Sequence, residues 1–129
     1  MKNHRLKLDT TAVENITGSE YRFTLEFYIF MQNGKYIAYC PSLDLSSSAE
    51  SFNEAVSNFY ESFQLYVETC VEMGTLQQDL LAHGWKIKKS GITPPKYTTI
   101  IKKPEMKNLL EGSTNYERLV TPARIPAFA

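Results

Sequence analysis

The dipeptide Asn33-Gly34 constrains this chain more than any other feature, because it sits between two runs that read as strands. Across residues 21–31 the apolar Tyr21, Phe23, Leu25, Phe27, Ile29 and Met31 are separated by Arg22, Thr24 and Glu26, a period-2 pattern. Asn and Gly tolerate the positive φ that both centres of a two-residue type I′ turn require. The spacing therefore predicts a hairpin, with a return strand over residues 35–40 that ends at Pro41.

A turn centred there makes residues whose numbers sum to 67 face each other, so Met31 meets Tyr36, Ile29 meets Ala38 and Phe27 meets Cys40. That face is apolar and belongs on a core. The opposite face pairs Phe30 with Ile37 and Tyr28 with Tyr39, where a one-sided sheet would be polar. Four large apolar side chains need a cover. The sequence leaves three occupants open: the chain's own C-terminal segment, a second copy, or another protein.

Residues 43–47 are expected as a short third strand. Ser51-Phe52-Asn53-Glu54 has the form of a capping box, in which the serine hydroxyl and the glutamate carboxylate satisfy free N–H groups at a helix start. Phe52, Ala55, Val56, Phe59, Phe63, Tyr66, Val67 and Cys70 follow at helical spacing, and Gly74 is placed to end the helix. Residues 75–83 read as a second, shorter helix capped by Thr75, with Leu76, Leu80 and Leu81 against the core. Trp85-Lys86-Ile87 suggests a strand, residues 90–95 a linker, and residues 97–102 a β-prone run of Thr and Ile. A weak helical pattern covers residues 106–111, and residues 119–129 look extended.

The net charge of zero hides a polarity. Residues 1–43 carry five basic and four acidic side chains, residues 44–84 none and seven, residues 85–129 nine and three, giving +1, −7 and +6. Such blocks suit self-association or a charged partner. They equally suit a tail folded back across its own acidic helix.

Chemistry finds little foothold. Two cysteines and two histidines, at no ligand-like spacing, make neither a disulfide framework nor a zinc site. Asp44, Glu50 and Glu54 read as caps or solvated acids rather than a metal-binding carboxylate cluster. Ser46, Ser47 and Ser48 have no base in sequence reach, and no phosphate-cradling loop is present. No enzyme activity, metal or cofactor is expected. No run approaches the roughly 18 apolar residues of a membrane span, and the opening MKNHRLKLDTT lacks the apolar stretch of a secretory signal. A cytoplasmic protein is the expectation.

The succession of strand, Asn-Gly turn, strand ending in Tyr-x-Ala-x-x-Pro, short strand and capped Glu-Ala helix resembles the HicB-like antitoxin family. Gly34, Tyr36, Ala38, Pro41, Leu43, Glu54 and Ala55 carry the resemblance, which covers residues 21–71. It implies a β-β-β-α-β core with the helix across one face of a small sheet. It also implies a partner, the HicA toxin, a small ribonuclease that the antitoxin blocks. The helix-turn-helix or ribbon-helix-helix module that often follows in the family has no counterpart in residues 85–129. Their lysines (Lys86, Lys88, Lys89, Lys96, Lys102, Lys103 and Lys107) are the only nucleic-acid footprint, and nucleic-acid binding is not expected.

The sequence thus points to an α+β fold: a mainly antiparallel sheet, one long helix on one face, a short second helix and an extended C-terminal tail. Residues 1–89 form the HicB-like domain and residues 90–129 a basic, proline-containing extension, packed on that domain or on a partner copy. The expected role is a non-catalytic interaction module that neutralises a small basic toxin. Tyr28, Phe30, Ile37 and Tyr39 would supply buried contact, with Asp44, Glu61, Glu68 and Glu72 complementary charge. On that reading Tyr39→Ala weakens association by about 2 kcal/mol or more and leaves the fold intact. The competing role is a self-assembling homo-oligomer, a dimer or tetramer, in which the basic tail of one copy clamps the acidic helix of the next.

Overall fold

The computed structural model describes residues 20–88, 91–112 and 115–127. Its elements are β1 (Glu20–Gln32), β2 (Lys35–Cys40), β3 (Leu45–Ala49), α1 (Phe52–Met73), α2 (Leu76–Ala82), β4 (Lys86–Lys88), β5 (Gly91–Thr93), α3 (Tyr97–Ile100), α4 (Pro104–Glu111) and β6 (Tyr116–Pro126). The fold is α+β. Four strands form an antiparallel sheet in the order β3-β2-β1-β6, and β4 and β5 make a separate small hairpin.

Local chemistry explains the first half. Asn33 and Gly34 both hold positive φ, 53° and 79°, as the two-residue turn requires. The register follows from that turn, with Phe30 opposite Ile37 and Tyr28 opposite Tyr39. After Pro41 the chain turns once more, and Asp44 takes a left-handed φ of 55°. That turn consumes Leu43, which is buried, so β3 starts at Leu45 rather than at residue 43.

The long helix begins where Ser51 Oγ accepts the Glu54 N–H at 3.1 Å. The Glu54 carboxylate reaches back one residue further than a capping box would, accepting the Glu50 N–H at 2.9 Å. Gly74 closes α1 at φ 72°, donating its N–H to the carbonyls of Cys70 and Val71. One face of α1 packs on the sheet, where Phe59 stacks on Phe27 with ring centroids 4.2 Å apart. Leu25, Ile29, Ala38, Phe63, Val67, Leu76, Leu80 and Trp85 complete this first core. Trp85 lies edge-on to Phe23, and its Nε1–H donates to the Ser42 carbonyl at 2.8 Å.

Several expectations are corrected. Leu81 is half exposed: α2 turns only Leu76 and Leu80 inward, and Thr75 makes no side-chain cap bond. Within the expected linker, residues 91–93 form β5, which sets Ile92 opposite Ile87; Ser90 lies outside the described residues. Residues 97–100 are a helical turn, not a strand. The segment crosses the face of the sheet rather than an edge, so it satisfies its amides locally and lowers Ile100 onto the sheet.

The C-terminal part completes the sheet. β6 pairs with β1 from Glu20↔Pro126 to Phe30↔Tyr116. Arg118 forks onto Glu26 across this ladder, Nε to Oε1 at 3.1 Å and Nη2 to Oε2 at 2.8 Å. The guanidinium holds the Glu26 carboxyl below its ordinary range, against a smaller opposing effect of burial. Between β5 and β6 the chain crosses the second face of the sheet as α3 and α4. There Tyr28, Tyr39, Ile100, Met106 and Leu109 form a second, smaller core. The sheet is therefore a middle layer, with α1 on one side and α3–α4 on the other.

Candidate functional site: a groove beside the C-terminal helix

Alternation along β1 and β2 puts Tyr28, Phe30, Ile37 and Tyr39 on one face, as the register demands. The chain's own residues 97–111 are the occupant that covers it. Tyr28 and Tyr39 are 2% and 7% exposed beneath α3 and α4, so both are core residues and not surface anchors. Burial raises the Tyr28 hydroxyl to about 12, with the neighbouring Glu26 carboxylate adding to the effect.

The cover is incomplete. Between α4 and the hairpin end of the sheet runs an open groove of about 510 Å³. Its floor is apolar: Phe30 and Ile37, paired across β1 and β2, with Leu109 of α4 as one wall. Its polar lining includes Asp44 from the left-handed turn before β3, Ser46 on β3, and Glu105 and Asn108 on the exposed side of α4. Among the described residues, no lysine or arginine lines it.

Tyr39 joins floor to rim. Its ring is buried, while its hydroxyl donates to Asp44 Oδ1 at 3.2 Å. Burial raises the tyrosine's pKa well above the ordinary range, and the negative fields of Asp44 and Glu105 raise it further. The hydroxyl therefore stays a proton donor at any physiological pH. Two carboxylates and an un-ionised phenol over an apolar floor favour a cationic group carried on an apolar stem.

Four of the eight residues singled out in the sequence meet here: Phe30, Ile37, Tyr39 and Asp44. Tyr28 lies deeper in the same core. Glu61, Glu68 and Glu72 do not belong to the groove. They occupy α1 on the other side of the sheet, Glu61 and Glu72 exposed and Glu68 accepting the Gln64 side-chain amide at 3.2 Å. Among the described residues no ion pair joins them to the basic tail, whose α3 and α4 cross the opposite face of the sheet. Glu105, Asn108 and Leu109 complete the groove without having been singled out; the weak helical pattern over residues 106–111 was the only sequence signal for the last two.

Other chemistry is sparse. Among the described residues, no three or more His, Cys, Asp or Glu side chains converge in a way that could hold a metal ion. No helix of the described residues is long and apolar enough to cross a membrane. Cys40 is fully buried, and desolvation pushes its thiol up to about 11, against the opposing pull of the Ser42 hydroxyl.

No protein-family model, curated protein or solved structure matches this chain.

Proposed function

We propose that this chain is a non-catalytic interaction module of HicB-like, antitoxin type, which takes a basic segment of a small toxin-like protein into the groove beside α4. The observation that carries the reading is the groove's composition: an apolar floor of Phe30 and Ile37 with the carboxylates of Asp44 and Glu105, and no cation in its lining. A lysine or arginine side chain buries its methylenes on such a floor and brings its charge to the acids. The β1-β2-β3-α1 order at the start of the fold, with its type I′ turn and capped helix, agrees with what the resemblance implies. In contrast to that β-β-β-α-β core, the fourth strand of the sheet comes from residues 116–126 and not from the segment after the helix.

The second acidic surface, the outer side of α1 with Glu54, Glu61, Glu68 and Glu72, carries no basic residue of its own helix. It steers a basic partner toward the molecule at long range, whereas the groove makes the contact. Affinity purification from native cells tests both. Wild type and Glu61→Lys should bring down a small basic protein whose expression alone arrests growth, and Asp44→Lys/Glu105→Lys should lose it. Equal recovery by the double variant, or no such protein at all, overturns the reading.

A further inference from the structure

The sheet has two edges, and they are treated differently. At β3 the Ser48 carbonyl is taken by the Asn58 side-chain amide of α1 at 3.1 Å. At the other edge β6 pairs with β1 on one side only, and among the described residues no strand lies beyond it. In an antiparallel ladder a residue's N–H and C=O point to the same side, and the side alternates along the strand. Proline is tolerated where its nitrogen faces away from the ladder. Pro122 and Pro126 share one parity, which places the even-numbered residues of β6 with their backbone groups on the open side. The open side thus offers both donor and acceptor at Tyr116, Arg118, Val120 and Arg124, and loses its donor at Pro122 and Pro126.

Edge strands are normally blunted by lysine, proline, an inward charge or a bulge, and the prolines of β6 fall only in its second half. The stretch from Tyr116 to Thr121 has no lysine, and its Arg118 is tied to Glu26 of its own chain. Tyr116 and Val120, 39% and 50% exposed, leave apolar surface along the same edge.

We propose that two copies of this chain join through β6, antiparallel about a two-fold axis at Leu119, to make one continuous eight-stranded sheet. The register follows from charge and from proline, since an axis at Val120 sets Arg118 against Pro122, which has no N–H to give. An axis at Glu117 sets two carboxylates face to face, and an axis at Arg118 sets two guanidinium groups face to face. An axis at Leu119 opposes Arg118 to Val120, Glu117 to Thr121 and Tyr116 to Pro122, so no like charges meet. In that register Arg118 and Val120 exchange both backbone bonds with their counterparts. The Tyr116 N–H meets the Pro122 carbonyl, the one group that residue can offer. The two Leu119 side chains then meet on the face of α1, where each already packs against the first core. A strand-sized contact belongs to the small, weak class of interfaces, so the dimer dissociates on dilution.

Sedimentation velocity of the full-length chain over a concentration series is the test, with cross-linking as the second readout. Wild type should shift reversibly from monomer to dimer. Val120→Pro removes an outward donor while sparing the β1 ladder, and should remain monomeric with an unchanged circular dichroism spectrum. In a Cys70→Ser background, Leu119→Cys should oxidise to a disulfide-linked dimer, because a non-hydrogen-bonded pair brings the two Cα atoms within disulfide range. Arg118→Cys should not. A wild type that is monomeric at every concentration overturns the proposal. So does a dimer that survives Val120→Pro, or one that cross-links through position 118 instead of 119.

Discussion

Replacing Tyr39 separates a residue that glues a partner from one that holds the chain's own layers together. Its ring lies between the sheet and α4, in one core with Tyr28, Ile100, Met106 and Leu109. Tyr39→Ala deletes that ring and leaves a cavity the short α4 cannot fill, a change that costs about 3–5 kcal/mol in comparable cores. Tyr39→Phe keeps the ring and removes only the bond to Asp44, whose exposed carboxylate regains water, so about 0.5–1.5 kcal/mol is expected. Against a total stability of about 5–15 kcal/mol for a domain of this size, the alanine variant is strongly weakened. Urea unfolding followed by circular dichroism measures both. Hydrogen exchange should show residues 97–111 opening in Tyr39→Ala before α1 does, since the second core is the smaller of the two. An alanine variant within about 1 kcal/mol of wild type, with residues 97–111 still protected, would refute the packing argument. The expectation drawn from sequence, weaker association with an intact fold, requires an exposed Tyr39, and the ring is buried.

Thiol reactivity should split between the two cysteines: in the native protein Cys70, half-buried on α1, reacts with Ellman's reagent, while Cys40 reacts only after unfolding. Rapid labelling of both in the native state would contradict the burial of Cys40. Stability should fall in alkali because Tyr28, Tyr39 and Tyr66 all ionise later folded than unfolded, chiefly through burial. Their contribution is complete below about pH 10, the unfolded value, and is lost for Tyr28 as the pH rises toward about 12. Melting temperatures that stay level from pH 9 to about pH 12 would contradict that sign.

The parts legible in the sequence are those in which a few adjacent residues decide the backbone. Asn33-Gly34 sets a turn and through it a register; Ser51 and Gly74 set the two ends of a helix. These are local energies, and no distant residue overrides them. The need for a cover over Tyr28 and Tyr39 was also readable, because alternation places them on a face that cannot face water. Its occupant was not readable, since the matching surface of α4 is only Met106 and Leu109 in a short, mostly polar helix. Residues 97–102 show the opposite failure, for their Thr-Ile run favours strand while the segment crosses the face of the sheet, away from its edges, and closes as a helical turn. The groove combines both cases: Phe30, Ile37, Tyr39 and Asp44 come from the legible hairpin and the turn after it, Glu105 and Asn108 from the distant helix.

The position of β6 beside β1 has a consequence for how the protein is made. The central strand β1 leaves the ribosome long before β6, one of its two neighbours. Until residue 126 has cleared the exit tunnel β1 has an open edge, and until residue 111 has done so Tyr28 and Tyr39 lack their cover. Folding therefore cannot proceed in step with translation. It waits for β6 and then closes a loop nearly as long as the described chain, which makes for slow folding and a nascent chain that needs protection.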